Sequence, residues 1–174
     1  LTLTAMEPPI GYRADAVRSR RGRPRAHRDL LDEQASAIVV HGLVGDEGFA
    51  STELLVRAVL SDPVAARWRV LDLRRVTRID TAAETLLASL VAQLEASGVT
   101  VSVVEPRLPQ PKSALRWLPG TVHRFLDADA ALEWCETALL HAEGVDDDLP
   151  VDLVPLAGVD LLDGLPEWAV RAIE

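Results

Sequence analysis

Between residues 37 and 141, short runs of aliphatic and β-branched residues alternate with longer segments that have helical spacing. Four of the runs are short, apolar and bounded by turn residues, which is typical of buried strands: Ala37–Val44, Trp68–Leu73, Val99–Val104 and Val122–Phe125. Four segments have apolar residues three and four positions apart, which predicts helices: Ser51–Leu60, Thr81–Ser97, Ser113–Leu118 and Asp127–His141. This alternation predicts an α/β domain with a mostly parallel or mixed sheet of about four to five strands and about four helices.

The remaining residues divide the chain into a central domain and its flanks. Residues 1–34 contain three of the eleven prolines and most of an arginine cluster. This segment shows no clear helical or strand periodicity. We expect them to form a linker or arm after an upstream domain, with one short helical turn near Arg25–Asp32. The central domain is predicted to span residues 35–142. An acidic linker at residues 143–150 then precedes residues 151–174, which we interpret as the truncated start of a following domain.

The arginine cluster contrasts with the rest of the chain. Six arginines and no acidic residue lie between Arg18 and Arg28, although the whole chain has a net charge of −9. An acidic chain is a poor candidate for nonspecific DNA binding, because it is repelled by the phosphate backbone. The basic stretch alone could contact nucleic acid or anionic lipid. The favoured interpretation is a solvated linker or an arm that docks on an acidic surface.

The most informative stretch is a junction between a strand and a helix. The apolar segment Val70–Leu73, which contains an aspartate, is followed by a short loop and then by Asp80–Ala83 at a helix start. This order resembles the STAS domains, which include sulfate transporter C-terminal regions and anti-sigma factor antagonists. The segments Gly98–Val101 and Asp127–Leu132 also match that family in type and spacing. The resemblance covers residues 35–141 and implies a STAS-like fold.

The resemblance also implies a role for Thr81. In the antagonists, the hydroxyl residue that follows the aspartate is the phosphoacceptor for a partner kinase, and Thr81 occupies that position. The sequence offers a simpler role, because Thr81 and Glu84 form a Thr-x-x-Glu capping box that would stabilise the helix by about 0.5–2 kcal/mol. We favour the structural cap and keep phosphorylation as the alternative.

Charged residues cluster around this junction. Arg74, Arg75 and Arg78 come shortly before Asp80. We predict that these four residues form an interaction rim. Its arginines could hold a phosphate on Thr81 by charge-assisted hydrogen bonds, or could receive an acidic partner instead.

The sequence contains no catalytic or cofactor motif. There is no G-x-G-x-x-G, Walker loop or nucleophile elbow, and Pro109 lies three residues before the sole lysine, Lys112, which excludes Ser-x-x-Lys. The four histidines lack metal-ligand spacing, so each is interpreted as an ordinary surface or half-buried residue. Cys135 lies among apolar residues of a predicted helix, which indicates an inert buried thiol. We therefore expect this chain to be non-catalytic, without cofactor or metal.

The flanks resemble those of one class of bacterial enzyme. Residues Tyr12–Pro24 are similar to the connector after the catalytic domain of long bacterial glutaminases, and Ala130–Glu136 is similar to their last STAS helix. Leu161–Leu165 resembles the lead-in to a cyclic-nucleotide-binding domain, which follows STAS in some members. The resemblance implies a parent protein that hydrolyses L-glutamine to L-glutamate and ammonia with a serine–lysine, β-lactamase-like domain absent from this chain.

Three functions remain open from the sequence. The first is a regulatory, protein-interaction module of such a glutaminase, packed against itself as a possible homodimer or against neighbouring domains. The second is the cytoplasmic STAS region of a sulfate-type anion transporter, and the third is a partner-switching module phosphorylated at Thr81. We expect a cytoplasmic location without nucleic-acid or membrane binding. The reasons are the single cysteine, the lack of a secretory signal and the lack of an apolar run of roughly 20 residues.

Overall fold

The computed structural model describes residues 10–13, 17–106 and 118–145, with side chains from residue 17 onward. These residues form the following strands and helices: β1 Ile10–Arg13, α1 Arg25–Glu33, β2 Ile38–Glu47, α2 Phe49–Ser61, β3 Trp68–Ile79, α3 Thr81–Ala96, β4 Thr100–Val104, β5 His123–Phe125 and α4 Ala128–Ala142. A short 3₁₀ helix, Ala35–Ala37, connects α1 to β2. The predicted α/β class, with five strands and four α-helices in the described residues, is confirmed.

The sheet is mixed and has the sequential order β1-β2-β3-β4-β5. β1 runs antiparallel to β2, and the other neighbouring strands are parallel. Parallel neighbours need a crossover connection. Helix α2 supplies it between β2 and β3, and α3 supplies it between β3 and β4.

Helices cover both faces of the sheet. On one face, Val70 of β3 belongs to a buried cluster that includes Leu31 of α1 and residues of α4. On the other face, the next residue, Leu71, is buried with Leu55 of α2 and Leu90 of α3. Successive residues of a strand point to opposite faces, so β3 contributes to both clusters. Each fully buried leucine stabilises the three layers by about 1.5–3 kcal/mol relative to an exposed one.

The second and third strands are longer than predicted. The turn predicted at Gly45–Gly48 is wrong for its first three residues, because β2 continues to Glu47. The loop predicted after Leu73 is also wrong, because β3 continues to Ile79. Each strand therefore reaches the start of the helix that follows it.

Two irregularities in the pairing of β2 with β3 explain why the sequence pattern does not predict the extension of β3. The register shifts between Gly42 and Val44 and again between Gly45 and Asp46, and each shift adds one residue on β3. The apolar residues of β3 that face the core, Leu73, Val76 and Ile79, are therefore three positions apart instead of two. Gly45 has a φ of +84° at this point, a conformation that glycine adopts without strain.

The helical predictions agree closely with the structure. Helices α2 and α3 match the predicted Ser51–Leu60 and Thr81–Ser97 to within two residues at each end. Gly98 follows α3 with a φ of +80°, as expected for a glycine at a helix C-terminus. The predicted helix Ser113–Leu118 lies outside the described residues except for Leu118.

The predicted arm contributes to the fold. Its one helical turn is in fact the nine-residue helix α1, and its residues Ile10–Arg13 pair with β2. Leu31 of α1 is only 2% exposed and lies in the core. The domain boundaries at residues 35 and 142 remain predictions, and residues 151–174 lie outside the described part.

Candidate interaction surface

Asp80, and not Thr81, caps helix α3. The backbone of Asp80 is extended, with a φ of −85° and a ψ of 164°, and its Oδ1 accepts a hydrogen bond of 2.7 Å from the backbone N–H of Ala83. Thr81 is already the first helical residue, so the predicted capping box with Glu84 is wrong. A carboxylate at this position is also favoured by the positive end of the helix dipole. The Thr81 side chain is exposed and is not needed to cap the helix.

The starts of helices α2 and α3 lie against each other. The backbone N–H of Asp80 donates to the carbonyl of Glu47 at 3.0 Å, which ties the end of β3 to the end of β2. A Cβ atom at Gly48 would lie 3.1 Å from Oδ2 of Asp80. A side chain at position 48 would therefore crowd the Asp80 carboxylate, and the two turns form one compact junction.

Glu47 is a buried acid at this junction that the sequence did not reveal. It is 7% exposed, and burial raises its pKa, although hydrogen bonds from Ser51 and from the backbone of Val44 act in the opposite direction. A glutamate between Asp46 and Gly48 has the sequence context of an exposed turn. Only the extension of β2 places Glu47 inside the protein.

The predicted rim is divided among several ion pairs. Nε of Arg74 donates to Oδ1 of Asp72 at 2.9 Å, and its Nη2 donates to Oδ2 at 2.7 Å. Arg78 pairs with Asp46 across the sheet, with an Nη2–Oδ2 distance of 3.2 Å. Arg75 is exposed, and no salt bridge joins it to another described residue. Two of the three rim arginines are thus already paired with carboxylates of the same chain.

An exposed aromatic residue adjoins the junction. Phe49, the first residue of α2, is 54% exposed and directly follows Gly48. We define the junction surface as Phe49, Arg78, Asp80 and Thr81. An exposed aromatic ring beside charged groups is a common composition of protein–protein contacts. The sequence alone gives only a weak indication that Phe49 is exposed, because a single phenylalanine at a helix start is also compatible with burial.

A second charged surface is formed where the arm segment, residues 17–24, lies along α4. The backbone N–H of Arg20 donates to Asp129 at 2.8 Å, and Arg21 pairs with Glu133 at 3.0 Å. Asp129, Glu133 and Glu136 follow one another at helical spacing and form an acidic stripe. The basic segment is therefore docked on an acidic surface of its own chain, which was one of the favoured interpretations.

The centre of this contact is buried. The side chains of Arg23 and Glu136 are each 2% exposed, and Nε of Arg23 lies 3.3 Å from Oε2 of Glu136. Ser19 donates its backbone N–H and its hydroxyl to the two oxygens of the same carboxylate, at 3.0 and 2.5 Å. A buried ion pair is tolerated only when further hydrogen bonds satisfy its remaining polar atoms. Arg23 also donates to the hydroxyl of Thr137 at 3.0 Å.

Two of the four histidines are more buried than expected. His27 is 7% and His41 is 6% exposed, so the interpretation as surface or half-buried residues is wrong for these two. Cys135 is completely buried, and burial raises the pKa of its thiol to about 12. The predicted burial of Cys135 is confirmed, and its lack of reactivity remains a prediction.

The described residues show no grouping of three or more histidine, cysteine, aspartate or glutamate side chains that could hold a metal ion. Among the helices of the described part, none is both long and apolar enough to cross a membrane.

Comparison with known proteins gives matches in both sequence and structure, although no family model matches the chain. Glutaminase 2 of Bradyrhizobium diazoefficiens is 30% identical in an alignment of 137 residues that covers 76% of this chain and 22% of that protein. The chain thus spans about a fifth of the relative's length. A sulfate transporter family protein from Wolinella succinogenes has the same fold, with a TM-score of 0.50, 20% identity, and 60% of this chain and 88% of that one covered. The STAS domain of a SulP transporter from Vibrio cholerae gives a TM-score of 0.47 at 16% identity, covering 69% and 99% of the two chains.

Proposed function

We propose that this chain, which has a STAS-like α/β fold and resembles part of a bacterial glutaminase, is a non-catalytic interaction module of a multidomain glutaminase. The observation that carries the proposal is the 30% identity to Glutaminase 2, in a match that occupies only 22% of that protein. A match of that extent leaves most of the relative's length for a catalytic domain. The parent protein would hydrolyse L-glutamine to L-glutamate and ammonia outside the residues described above.

The junction surface supports a role in protein binding. Phe49 offers an exposed apolar ring, and Arg78 and Asp80 offer charges of both signs beside it. Aromatic and arginine side chains contribute most of the binding energy in many protein interfaces. The partner in this proposal is a neighbouring domain of the same protein or a second copy of the chain, in the cytoplasm.

Removal of the module from the full-length protein tests this role. Deletion of residues 35–141 should change the oligomeric state, measured by light scattering coupled to size-exclusion chromatography, or the kcat and KM for glutamine. If the mass and both kinetic constants stay the same, the interaction role is refuted.

A point variant makes the test specific to the junction surface. Phe49→Ser should reproduce at least part of the effect of the deletion, because it removes the exposed ring. Leu126→Ser is the matched control, since Leu126 is 81% exposed and follows β5, which is separated from β3 by β4. Equal effects of the two substitutions would argue against the junction surface.

The parent can be identified independently. The residues encoded upstream of Leu1 should form a soluble amidohydrolase domain with a serine–lysine pair. A series of membrane-spanning helices there would instead identify the STAS region of an anion transporter and would refute the glutaminase assignment.

A second candidate function is partner switching by phosphorylation of Thr81. One observation favours it: Asp80 caps α3, so the exposed hydroxyl of Thr81 is not required for that structural role. A phosphate here would be favoured by the helix N-terminus, although it would compete with Asp46 for Arg78. Mass spectrometry of protein purified from its native host, with and without phosphatase treatment, should detect a phosphate on Thr81. Its consistent absence under several growth conditions would eliminate this function.

A further inference from the structure

We propose that two copies of this chain associate through helix α2, which packs antiparallel to its counterpart across a two-fold axis. The helix carries apolar residues on a second side, besides the side that it buries in the domain. We define the α2 stripe by its five residues: Phe49, Glu53, Val56, Arg57 and Leu60. The inference rests on the interaction role proposed above and deepens it, because it names the partner as a second copy of the chain.

The α2 stripe lies outside the buried side of the helix, which consists of Thr52, Leu55 and Val59. Positions 49, 53, 56 and 60 follow one another in steps of four, three and four residues, so they form one line along an α-helix. Phe49 is 54% and Leu60 is 45% exposed, and Val56 between them is half-buried. Two large apolar side chains therefore remain in contact with solvent along the same line of one helix.

The spacing of the stripe is the one by which helices pack against each other. Single exposed apolar residues are common on protein surfaces and need no partner. Alternating steps of three and four residues instead produce the narrow apolar seam of a coiled coil. The α2 stripe is thus suited to contact with another helix.

The charges of the stripe indicate that this other helix is α2 of a second copy. Nη2 of Arg57 lies 2.7 Å from Oε1 of Glu53, and these side chains are 74% and 40% exposed. In an antiparallel pair of identical helices, Glu53 of each copy would lie beside Arg57 of the other, so the favourable contact would occur twice. A parallel pair would place like charges opposite each other.

The apolar residues fit the same antiparallel arrangement. The midpoint between Phe49 and Leu60 and the midpoint between Glu53 and Arg57 fall within one residue of each other. One two-fold axis therefore brings Phe49 of each copy onto Leu60 of the other and also pairs the opposite charges. The stripe is only about 17 Å long, at 1.5 Å per residue, so the interface is small and a weak dimer with a Kd of about 100 µM is expected.

Sedimentation equilibrium of the full 174-residue chain tests the dimer at concentrations up to about 1 mM and at about 0.15 M salt. The average mass should rise with concentration toward that of a dimer. Leu60→Ser should weaken the association by about tenfold or more, because a substitution in a symmetric interface acts twice. A chain that stays monomeric over the whole range, or a Leu60→Ser variant that associates as tightly as the original chain, would overturn the proposal.

Leu54→Ser is the matched control on the same helix. Leu54 is 44% exposed, almost as much as Leu60, but it lies at least about 120° around the helix from Phe49 and Leu60. Its substitution should leave the dimer Kd unchanged, and a loss equal to that of Leu60→Ser would contradict the α2 stripe. Circular dichroism of both variants checks that the fold is intact.

Charge reversals test the antiparallel arrangement. Glu53→Arg and Arg57→Glu should each weaken self-association by about fivefold or more, because each places like charges opposite each other. An equimolar mixture of the two variants should associate more tightly than either variant alone, since opposite charges then meet again. Single reversals without effect would contradict antiparallel packing, because only that arrangement pairs Glu53 with Arg57 in the original chain.

Failure of this inference is distinguishable from failure of the proposed function. Phe49 belongs to both surfaces, whereas Leu60 lies outside the junction surface, so Leu60→Ser leaves that surface available to a neighbouring domain. If the chain stays monomeric but deletion of residues 35–141 still changes the kinetic constants of the parent, the dimer is refuted and the interaction role stands. If the chain dimerises through α2 but the deletion changes neither mass nor kinetics, the dimer stands and the role in the parent is refuted.

Discussion

Acidification should destabilise this protein through one buried histidine in β2. Nε2 of His41 lies 2.9 Å from Nη1 of Arg69, and the two side chains are 6% and 4% exposed. Because arginine can only donate, His41 must be the acceptor, and it must therefore be neutral at Nε2. Burial and, to a smaller extent, the charge of Arg69 together lower the pKa of His41 from 6.5 to about 4, while Asp62 acts in the opposite direction.

The direction and size of the effect follow from this pKa. The unfolded chain takes up a proton near pH 6.5, whereas the folded chain resists it until about pH 4. The contribution to stability is therefore complete above the unfolded pKa and is lost as the pH falls toward the folded pKa. The difference between 6.5 and about 4 corresponds to about 3 kcal/mol, because one pKa unit is equivalent to about 1.4 kcal/mol. That is a large fraction of the roughly 5–15 kcal/mol that stabilises a typical domain.

Urea unfolding at a series of pH values from about 4 to about 8 measures this loss. Carboxylates also titrate in this range, so the informative quantity is the difference between the original chain and His41→Gln. Glutamine is neutral throughout and can still accept from Arg69, so the variant should lose about 3 kcal/mol less than the original chain. His141→Gln, at an exposed position in the last turn of α4, is the matched control. Parallel curves for the original chain and His41→Gln would refute the reasoning.

Three further predictions concern the junction and the arm. Asp80→Ala should lower the free energy of unfolding by about 1 kcal/mol, whereas Thr81→Ala should change it by less than about 0.5 kcal/mol; equal losses in urea unfolding would contradict the assignment of the cap. Because burial raises the pKa of Glu47, its stabilising contribution is present at low pH and is lost as the pH rises through that pKa, so Glu47→Gln should gain stability over the original chain toward neutral pH. A gain that is the same at all pH values in thermal melts would point to packing instead. Glu136→Gln leaves Arg23 buried without its counter-charge and should cost about 3 kcal/mol. Amide hydrogen exchange should then accelerate in the arm segment, and unchanged protection there would argue against docking by this pair.

The layered fold was predictable because its elements have regular periods. Apolar residues recur at helical spacing in α3 and as short runs in β4, and each pattern survives in the structure. The second half of β3 was not predictable, since two extra residues change the spacing of its buried positions from two to three. In the sequence alone, a segment whose apolar residues recur every three positions, with four polar residues between them, has the features of a loop.

The details of the candidate sites depended on contacts between distant residues. Asp80 and Thr81 are both good helix caps, and the sequence does not tell which of them keeps the extended backbone. The burial of His41 depends on Arg69, which lies 28 positions later. The acidic stripe on α4 was readable from its spacing, but the arm that covers it lies more than a hundred positions away. Such pairings are set by the tertiary fold and have no local signature.

The docked arm also determines how mechanical load would pass through the protein. Ser19 and Arg20 are held by α4 residues that lie 117 and 109 positions later in the chain. β1 precedes the arm segment and is paired with β2, so a pull from the N-terminal side would load these hydrogen bonds of the sheet first and the ion pairs along α4 only after β1 had detached. The N-terminal region is thus attached at two places, to β2 through β1 and to α4 through the arm segment, and the attachment to the last helix would persist after the edge strand was lost.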